Sequence, residues 1–228
     1  MELQYSAAIK RSKKTDLIAE KTILASCVIS NNTVYKNSRP LFNSPDADLP
    51  AFLVNAYTHF KIDYPKFYKM DTLSKLGWLA SEMLLAGENR VNSFQPDEIG
   101  IILSNANASL DTDIKHFNTL QGIASPAIFV YTLPNIMIGE ICIRNNFKGE
   151  NAFFVSSSFD AEFTESYISK LLDRQILKLC ICGWVDLLET DYKAVLFLVG
   201  FGKEGQDVLF TRDNIEQIFS GQSHADAG

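Results

Sequence analysis

Apolar runs and amphipathic stretches alternate along most of this chain. Residues 22–30 (TILASCVIS) are apolar and end in the turn-forming Ser30-Asn-Asn-Thr33, which predicts a first strand. Residues 37–50, rich in proline, asparagine, aspartate and serine, predict a loop. From Asp71 the period changes to that of a helix. Leu73, Leu76, Leu79, Ala80, Met83 and Leu84 fall on one face, Asp71 can cap the first free N–H groups, and Gly87 stops the run. Residues 98–104 (EIGIILS) read as a buried strand, and the polar stretch 105–125, with Asp111 and Asp113, as a solvated loop with a helix cap. Pro134 opens a helical run over 135–144, in which Gly139 predicts close packing against another helix. A strand at 152–156, a helix at 159–172 and strands at 177–187 and 194–202 follow. Residues 202–205 then predict a tight turn, with 207–211 as the returning strand of a hairpin.

This order, with helical crossovers between strands, predicts an α/β fold: a mostly parallel five-stranded sheet with helices on both faces and an antiparallel C-terminal hairpin at its edge. No composition break divides residues 22–215, so one domain is expected. Residues 1–21 are polar with the basic cluster Lys10-Arg-Ser-Lys-Lys14 and read as a partly disordered leader, and 220–228 as a mobile tail.

Charge and composition narrow the partners. The 228 residues are 46% hydrophobic and 21% charged, ordinary for a globular domain, and carry a net charge of −6. Such a balance argues against nucleic-acid or anionic-membrane binding. No apolar run approaches the roughly 18–20 residues that span a bilayer, and the N-terminus lacks the apolar core of a secretory signal. A cytoplasmic protein without membrane insertion is expected. Cys180 and Cys182 sit two apart in an apolar run, hence on one face of a strand, and without further Cys or His ligands close in sequence they read as buried thiols. No metal and no cofactor are expected.

Particular residues then carry a resemblance. The stretch Asp63-Tyr-Pro-Lys-Phe-Tyr-Lys-Met-Asp71, followed by Leu73-Ser-Lys-Leu-Gly77, resembles the Arg/Lys-x-Met-Asp segment before the first long helix of β-ketoacyl synthases (3-oxoacyl-ACP synthases) of the thiolase-like superfamily. Ser125-Pro-Ala-Ile-Phe-Val-Tyr-Thr-Leu-Pro-Asn-Ile-Met-Ile-Gly-Glu140 is similar to the family's Ser-Pro…Phe…Leu-x-Asn…Gly helix, and Lys148-Gly-Glu-Asn151 to its turn before the nucleophile strand. The strand at 97–104 and Leu179-Cys-Ile-Cys-Gly-Trp-Val-Asp186 fit in order, so the match runs over roughly residues 22–200. It implies a β-ketoacyl-synthase N-terminal-like domain over 22–219, a short form without the family's second half.

The family's condensing members carry a cysteine on the sharp turn after the 152–156 strand, where a helix N-terminus helps ionise it. Carried over, that position is Ser158, or Ser157 if the register shifts by one. The two catalytic histidines of the family belong to its second half. The three here, His59, His116 and His224, read as surface or loop residues, and no Gly-x-Ser-x-Gly elbow marks a serine hydrolase.

Three functional readings follow. The first is a non-condensing subunit resembling a chain length factor of fatty-acid or polyketide synthesis. The resemblance implies that it is a homodimer, or a heterodimer with a full-length ketosynthase, paired through residues 152–156, with an acyl carrier protein nearby. The second is a serine-dependent acyltransferase or thioesterase acting through Ser158, with Asp160 or Glu162 in support. The third is a binding or regulatory module that retains the fold.

Overall fold

Residues 20–120, 125–202 and 207–221 are described by a computed structural model; the leader up to residue 19, residues 203–206 of the expected tight turn, and the tail from residue 222 lie outside them. The described residues form one eight-stranded sheet flanked by helices. Its centre is the strand pair β1 (Lys21–Ser30) and β7 (Asp191–Phe201), antiparallel to each other. β7 alternates strictly. Ala194, Leu196 and Leu198 face one hydrophobic cluster, while Val195, Phe197 and Val199 face a second on the other side of the sheet. Such burial on both faces makes β7 a continuous apolar run rather than a half-polar one.

β6 (Leu179–Leu188) joins β7 through the two-residue turn Glu189-Thr190, and β4 (Ile99–Asn105) and β5 (Asn151–Val155) extend the sheet in parallel, β5 lying at the edge. β2 (Thr33–Lys36) and β3 (Arg39–Asn43) close the opposite side, giving the order β3-β2-β1-β7-β6-β4-β5. Thus β1, β4, β5 and β6 share a direction, and β7 runs against them from inside the sheet. A register shift between Ile23 and Ala25 turns Ile23 to the second cluster, whereas Ala25, Cys27 and Ile29 face the first.

The first cluster is covered by α1 (Leu49–His59), α2 (Thr72–Leu85) and α5 (Ile136–Asn145); the second by α6 (Ala161–Asp173) and α7 (Arg212–Ser220). The helix caps follow from the sequence. Asp48, Asp71, Asp160 and Thr211 each accept from a backbone N–H three residues on. Cys180 and Cys182 lie fully buried on the α6–α7 face, as their spacing implied.

Four expectations are corrected. Residues 37–50 are not a loop: they hold β3 and the start of α1, because Pro40 sits in a strand paired on one side only and Pro50 falls in a helix's first turn, the two places where a missing N–H costs nothing. The stretch 105–125 contains a helix, α3 (Leu110–Thr119), before the short α4 (Pro126–Phe129). Asp111 is buried rather than solvated, accepting from Lys115 Nζ at 2.6 Å and from Glu189 N–H at 3.2 Å. Gly139 meets open space; the glycine that admits the α2–α5 contact is Gly77, where a Cβ would collide with Met137. Last, residues 207–211 do not return against 194–202: β8 (Val208–Leu209) pairs with β1, and α7 follows.

Burial pushes the Cys27 thiol up to about 12 and raises the Tyr131 hydroxyl, which Glu140 also holds neutral. Both groups stay protonated in the fold at a pH where the unfolded chain releases the proton. Their stabilising contribution is complete below their unfolded values and is lost as pH rises. The melting temperature should therefore fall as pH climbs from about 9 toward about 12, with a shallower fall in Cys27→Ala. Parallel curves for wild type and variant across that range would refute the assignment to Cys27.

Candidate functional site

In open α/β sheets, ligands bind beyond the carboxyl ends of the parallel strands. Here β4, β5 and β6 end together. β5 runs in register with β4 from Ile101↔Asn151 to Asn105↔Val155, and one further bond, Ser156 N–H to Asn105 O at 3.0 Å, carries the ladder past the strand. The chain then turns through Ser156, Ser157 and Ser158, all exposed, into the cap of α6.

Local chemistry fixes this turn. The Ser156 hydroxyl donates to the Ser158 carbonyl at 2.9 Å. Asp160 accepts from Phe163 N–H at 2.8 Å, and its carbonyl accepts from the Thr164 hydroxyl. Phe159 stacks on Phe219 of α7 with centroids 4.3 Å apart and meets Trp184 of β6 edge-on at 6.1 Å. Phe154 meets Phe163 and Tyr167 of α6 edge-on, at 5.0 and 5.3 Å. The turn is thereby held against both neighbouring helices.

Beside it, the loop after β4 is pinned by two side chains that the sequence reading left without a role. Asn105, fully buried, exchanges hydrogen bonds with the backbone of Ala108, which adopts a left-handed φ of 48°. Asp186 accepts from Ala106 N–H at 3.3 Å, Asn107 N–H at 3.1 Å and the Asn107 side-chain amide at 2.9 Å. One signal could have found Asp186: it is the sole charged residue between Leu179 and Leu188. Its three donors are already engaged, so this loop orders the strand ends.

Ser158 and Ser157 thus occupy an exposed strand-to-helix turn, but no base is brought to them. His59 packs against Phe42 and Phe60, and His116 against Phe129; His224 lies outside the described residues. Asp160 is engaged as the helix cap, and Glu162 points to solvent with Arg212 at 3.6 Å. Among the described residues no hydroxyl of Ser157 or Ser158 is hydrogen-bonded to a histidine or carboxylate. The positive end of α6, which would help an anionic nucleophile, already faces the Asp160 carboxylate. Nor do three His, Cys, Asp or Glu side chains gather as a metal site among the described residues.

The two segments singled out around 63–71 and 125–140 do come together. Lys66 pairs with the buried Glu140 at 2.7 Å, Tyr131 donates to Glu140 at 3.2 Å, and Thr112 donates to Asp71 at 2.5 Å. A cavity of about 170 Å³ adjoins them, lined by Asp71, Thr112, Lys115 and Tyr131 among others. Burial raises the Tyr131 hydroxyl and lowers the Lys75 ammonium. Lys66 and Tyr131 balance the buried Glu140 carboxylate and tie residues 65–69 and the chain after α4 to α5, while Thr112 ties α3 to the cap of α2.

No protein-family model and no curated protein matches the sequence. Solved structures do. The chain is similar to a type II polyketide-synthase ketosynthase in complex with its acyl-carrier protein and bound to the hexaketide (TM-score 0.57, 14% identity, 80% of this chain and 63% of that one). It is similar as well to the ishigamide ketosynthase/chain length factor (TM-score 0.57, 15% identity, 82% and 64%). A third likeness is to a ketosynthase in complex with its chain length factor from Xenorhabdus doucetiae (TM-score 0.51, 12% identity, 81% and 80%). The chain spans less than two thirds of the length of the first two. These likenesses show the fold alone: an α/β architecture that the chain shares with these ketosynthase and chain-length-factor structures. Among the described residues no helix is long and apolar enough to cross a membrane.

Proposed function

We propose that this protein is a non-condensing, β-ketoacyl-synthase-like subunit of cytoplasmic fatty-acid- or polyketide-type synthesis, acting as a chain length factor does. It pairs through β5 with a chain of its own fold, either another copy or a full-length ketosynthase, and works on acyl groups delivered by an acyl carrier protein. Residues 22–219 form its single domain. The observation that carries this reading is the β5–α6 turn: it has the exposure and position of a nucleophile turn, yet presents serine, no base, and a helix N-terminus already occupied by Asp160. The open edge of β5 supports the pairing, since an unpaired strand edge is a template for another strand.

A serine acyltransferase would need a base on Ser158, and the carboxylates beside it in sequence are engaged as a helix cap and an exposed ion pair. The test is co-expression with a full-length ketosynthase and its carrier protein. A one-to-one complex is expected to co-purify, condensation is expected only when the ketosynthase is present, and intact mass should show no acyl adduct on this chain. Turnover or a serine-bound acyl group on the isolated chain would replace the proposal with the serine-enzyme reading.

A further inference from the structure

Lys193 is a half-buried cation near the start of β7 with no carboxylate paired to it among the described residues. Its Nζ donates to the Phe219 carbonyl of α7 at 2.5 Å and lies 4.0 Å from the centroid of the Phe219 ring. A cation suits a helix C-terminus, so this contact holds the amine in place. An ammonium has three donors; the other two take no protein partner among the described residues. Burial lowers the Lys193 ammonium, as expected of a charge drawn out of water without a counter-charge.

Lys193 lines a cavity of about 550 Å³, within the roughly 300–1,000 Å³ of small-molecule sites. The cavity opens between the end of β1, β2, the start of β7 and the C-terminus of α7. This is the end of the sheet where the β5–α6 turn also lies, the usual side for ligands in such folds. Val28, Ile218 and the rings of Tyr35 and Phe219 supply apolar walls. The hydroxyls of Ser30, Ser38 and Tyr35 line it too, and they hydrogen-bond to no protein group among the described residues.

The lining selects the class of ligand. Phosphate groups are commonly held by bidentate arginine or by several cations, whereas among the described residues this cavity offers one ammonium and hydroxyl donors. That set matches a single negative charge. Asp191, the carboxylate on the lining, is exposed and would repel a second acidic group. The apolar walls call for an apolar body. We propose that this cavity binds a monocarboxylic acid with an apolar body, its carboxylate on Lys193 Nζ and its body against Val28, Ile218 and Phe219. Phe219 also stacks on Phe159 at 4.3 Å, so the occupant rests on the ring that supports the Ser157–Ser158 turn. The site does not depend on the partnering or the carrier chemistry proposed above.

The test is calorimetric titration of the full chain with octanoate, and with 1-octanol as its uncharged match. One octanoate is expected per chain, bound at least about tenfold more tightly than octanol, as a hydrogen bond between charged groups implies. Lys193→Met is expected to abolish that preference. Ser30→Trp, which fills the cavity and leaves Lys193 and Phe219 unchanged, is expected to weaken octanoate at least about tenfold. Lys193 also holds the end of α7, so circular dichroism and melting accompany each variant. Where Lys193→Met melts earlier than wild type, Ser30→Trp decides. No octanoate binding to wild type, octanol bound as tightly as octanoate, or wild-type affinity in either folded variant overturns the proposal. The one-to-one complex expected with a full-length ketosynthase stands or falls separately.

Discussion

Gly183→Ala is expected to lose about 4 kcal/mol of stability, a large share of the roughly 5–15 kcal/mol that a folded domain possesses. Gly183 lies in the interior of β6, with β4 on one side and β7 on the other, opposite Leu103 and Leu196. Its φ of 145° is a conformation that side chains with a Cβ rarely adopt, a strain of roughly 1–3 kcal/mol. An added methyl would also collide with the Val195 carbonyl oxygen and lie 3.0 Å from its carbon and 3.1 Å from Leu196 Cα. Those atoms belong to β7, which is packed on both faces, so relief means moving β7, a further cost of about 1–3 kcal/mol. Gly139→Ala is the control: nothing lies within 4 Å of its Cβ position in α5, and the change should be neutral or stabilise by up to about 1 kcal/mol. Urea midpoints and soluble yield measure both. Gly183→Ala within about 1 kcal/mol of wild type would contradict this account of β6.

The two glycines show why the fold was largely legible and where it was not. A periodic pattern reports which residues are apolar and how they are spaced. It predicts β1, β4, β6 and β7 and the capped helix at Asp71, because in each most of the buried positions are apolar. It does not report what a neighbouring element presents, so Gly139 reads as the packing glycine although Met137 lies against Gly77. The same blindness hides α3. Its inward residues are Asp111 and Thr112, bound to Glu189 and Asp71 from outside the helix and to Lys115 one turn on, so a helix facing these partners has the composition of a loop. β8 pairs with β1 across nearly the whole chain, a contact that local pattern cannot express.

The candidate site divides the same way. The strand-to-helix turn and the absence of a sequence-adjacent base could be read residue by residue, because both are local. Asp186 and Asn105 could not be given a task, since each acts on the loop 106–108, reached by one from a different strand and by the other only through the fold of the loop itself. Resemblance placed Lys66, Asp71, Tyr131 and Glu140 in two separate motifs; only the structure shows that Lys66 of the first meets Glu140 and Tyr131 of the second.

Ser158→Cys is expected to change the chain's thiol chemistry completely and its synthetic chemistry not at all. The native cysteines are shielded: Cys27, Cys180 and Cys182 are fully buried, and burial raises the thiols of Cys27, Cys182 and the half-buried Cys142. Since the thiolate is the reactive form, native wild type should take up little alkylating reagent. A cysteine at 158 sits on an exposed turn and should take one label per chain, an increase of orders of magnitude in rate. Condensation requires more than an accessible thiol. The incoming thiolate would lie two residues from the Asp160 carboxylate, which cancels part of the benefit of the α6 N-terminus. No histidine packs at the turn among the described residues to take the proton or to bind a developing oxyanion, since His59 and His116 are occupied with Phe42, Phe60 and Phe129. Incubation of Ser158→Cys with acyl- and malonyl-carrier substrates, followed by intact mass and product analysis, should show alkylation competence and no condensed product. A condensed product from this single substitution would mean that the catalytic deficit is confined to one oxygen atom, and the non-condensing role proposed for the chain would have to be given up.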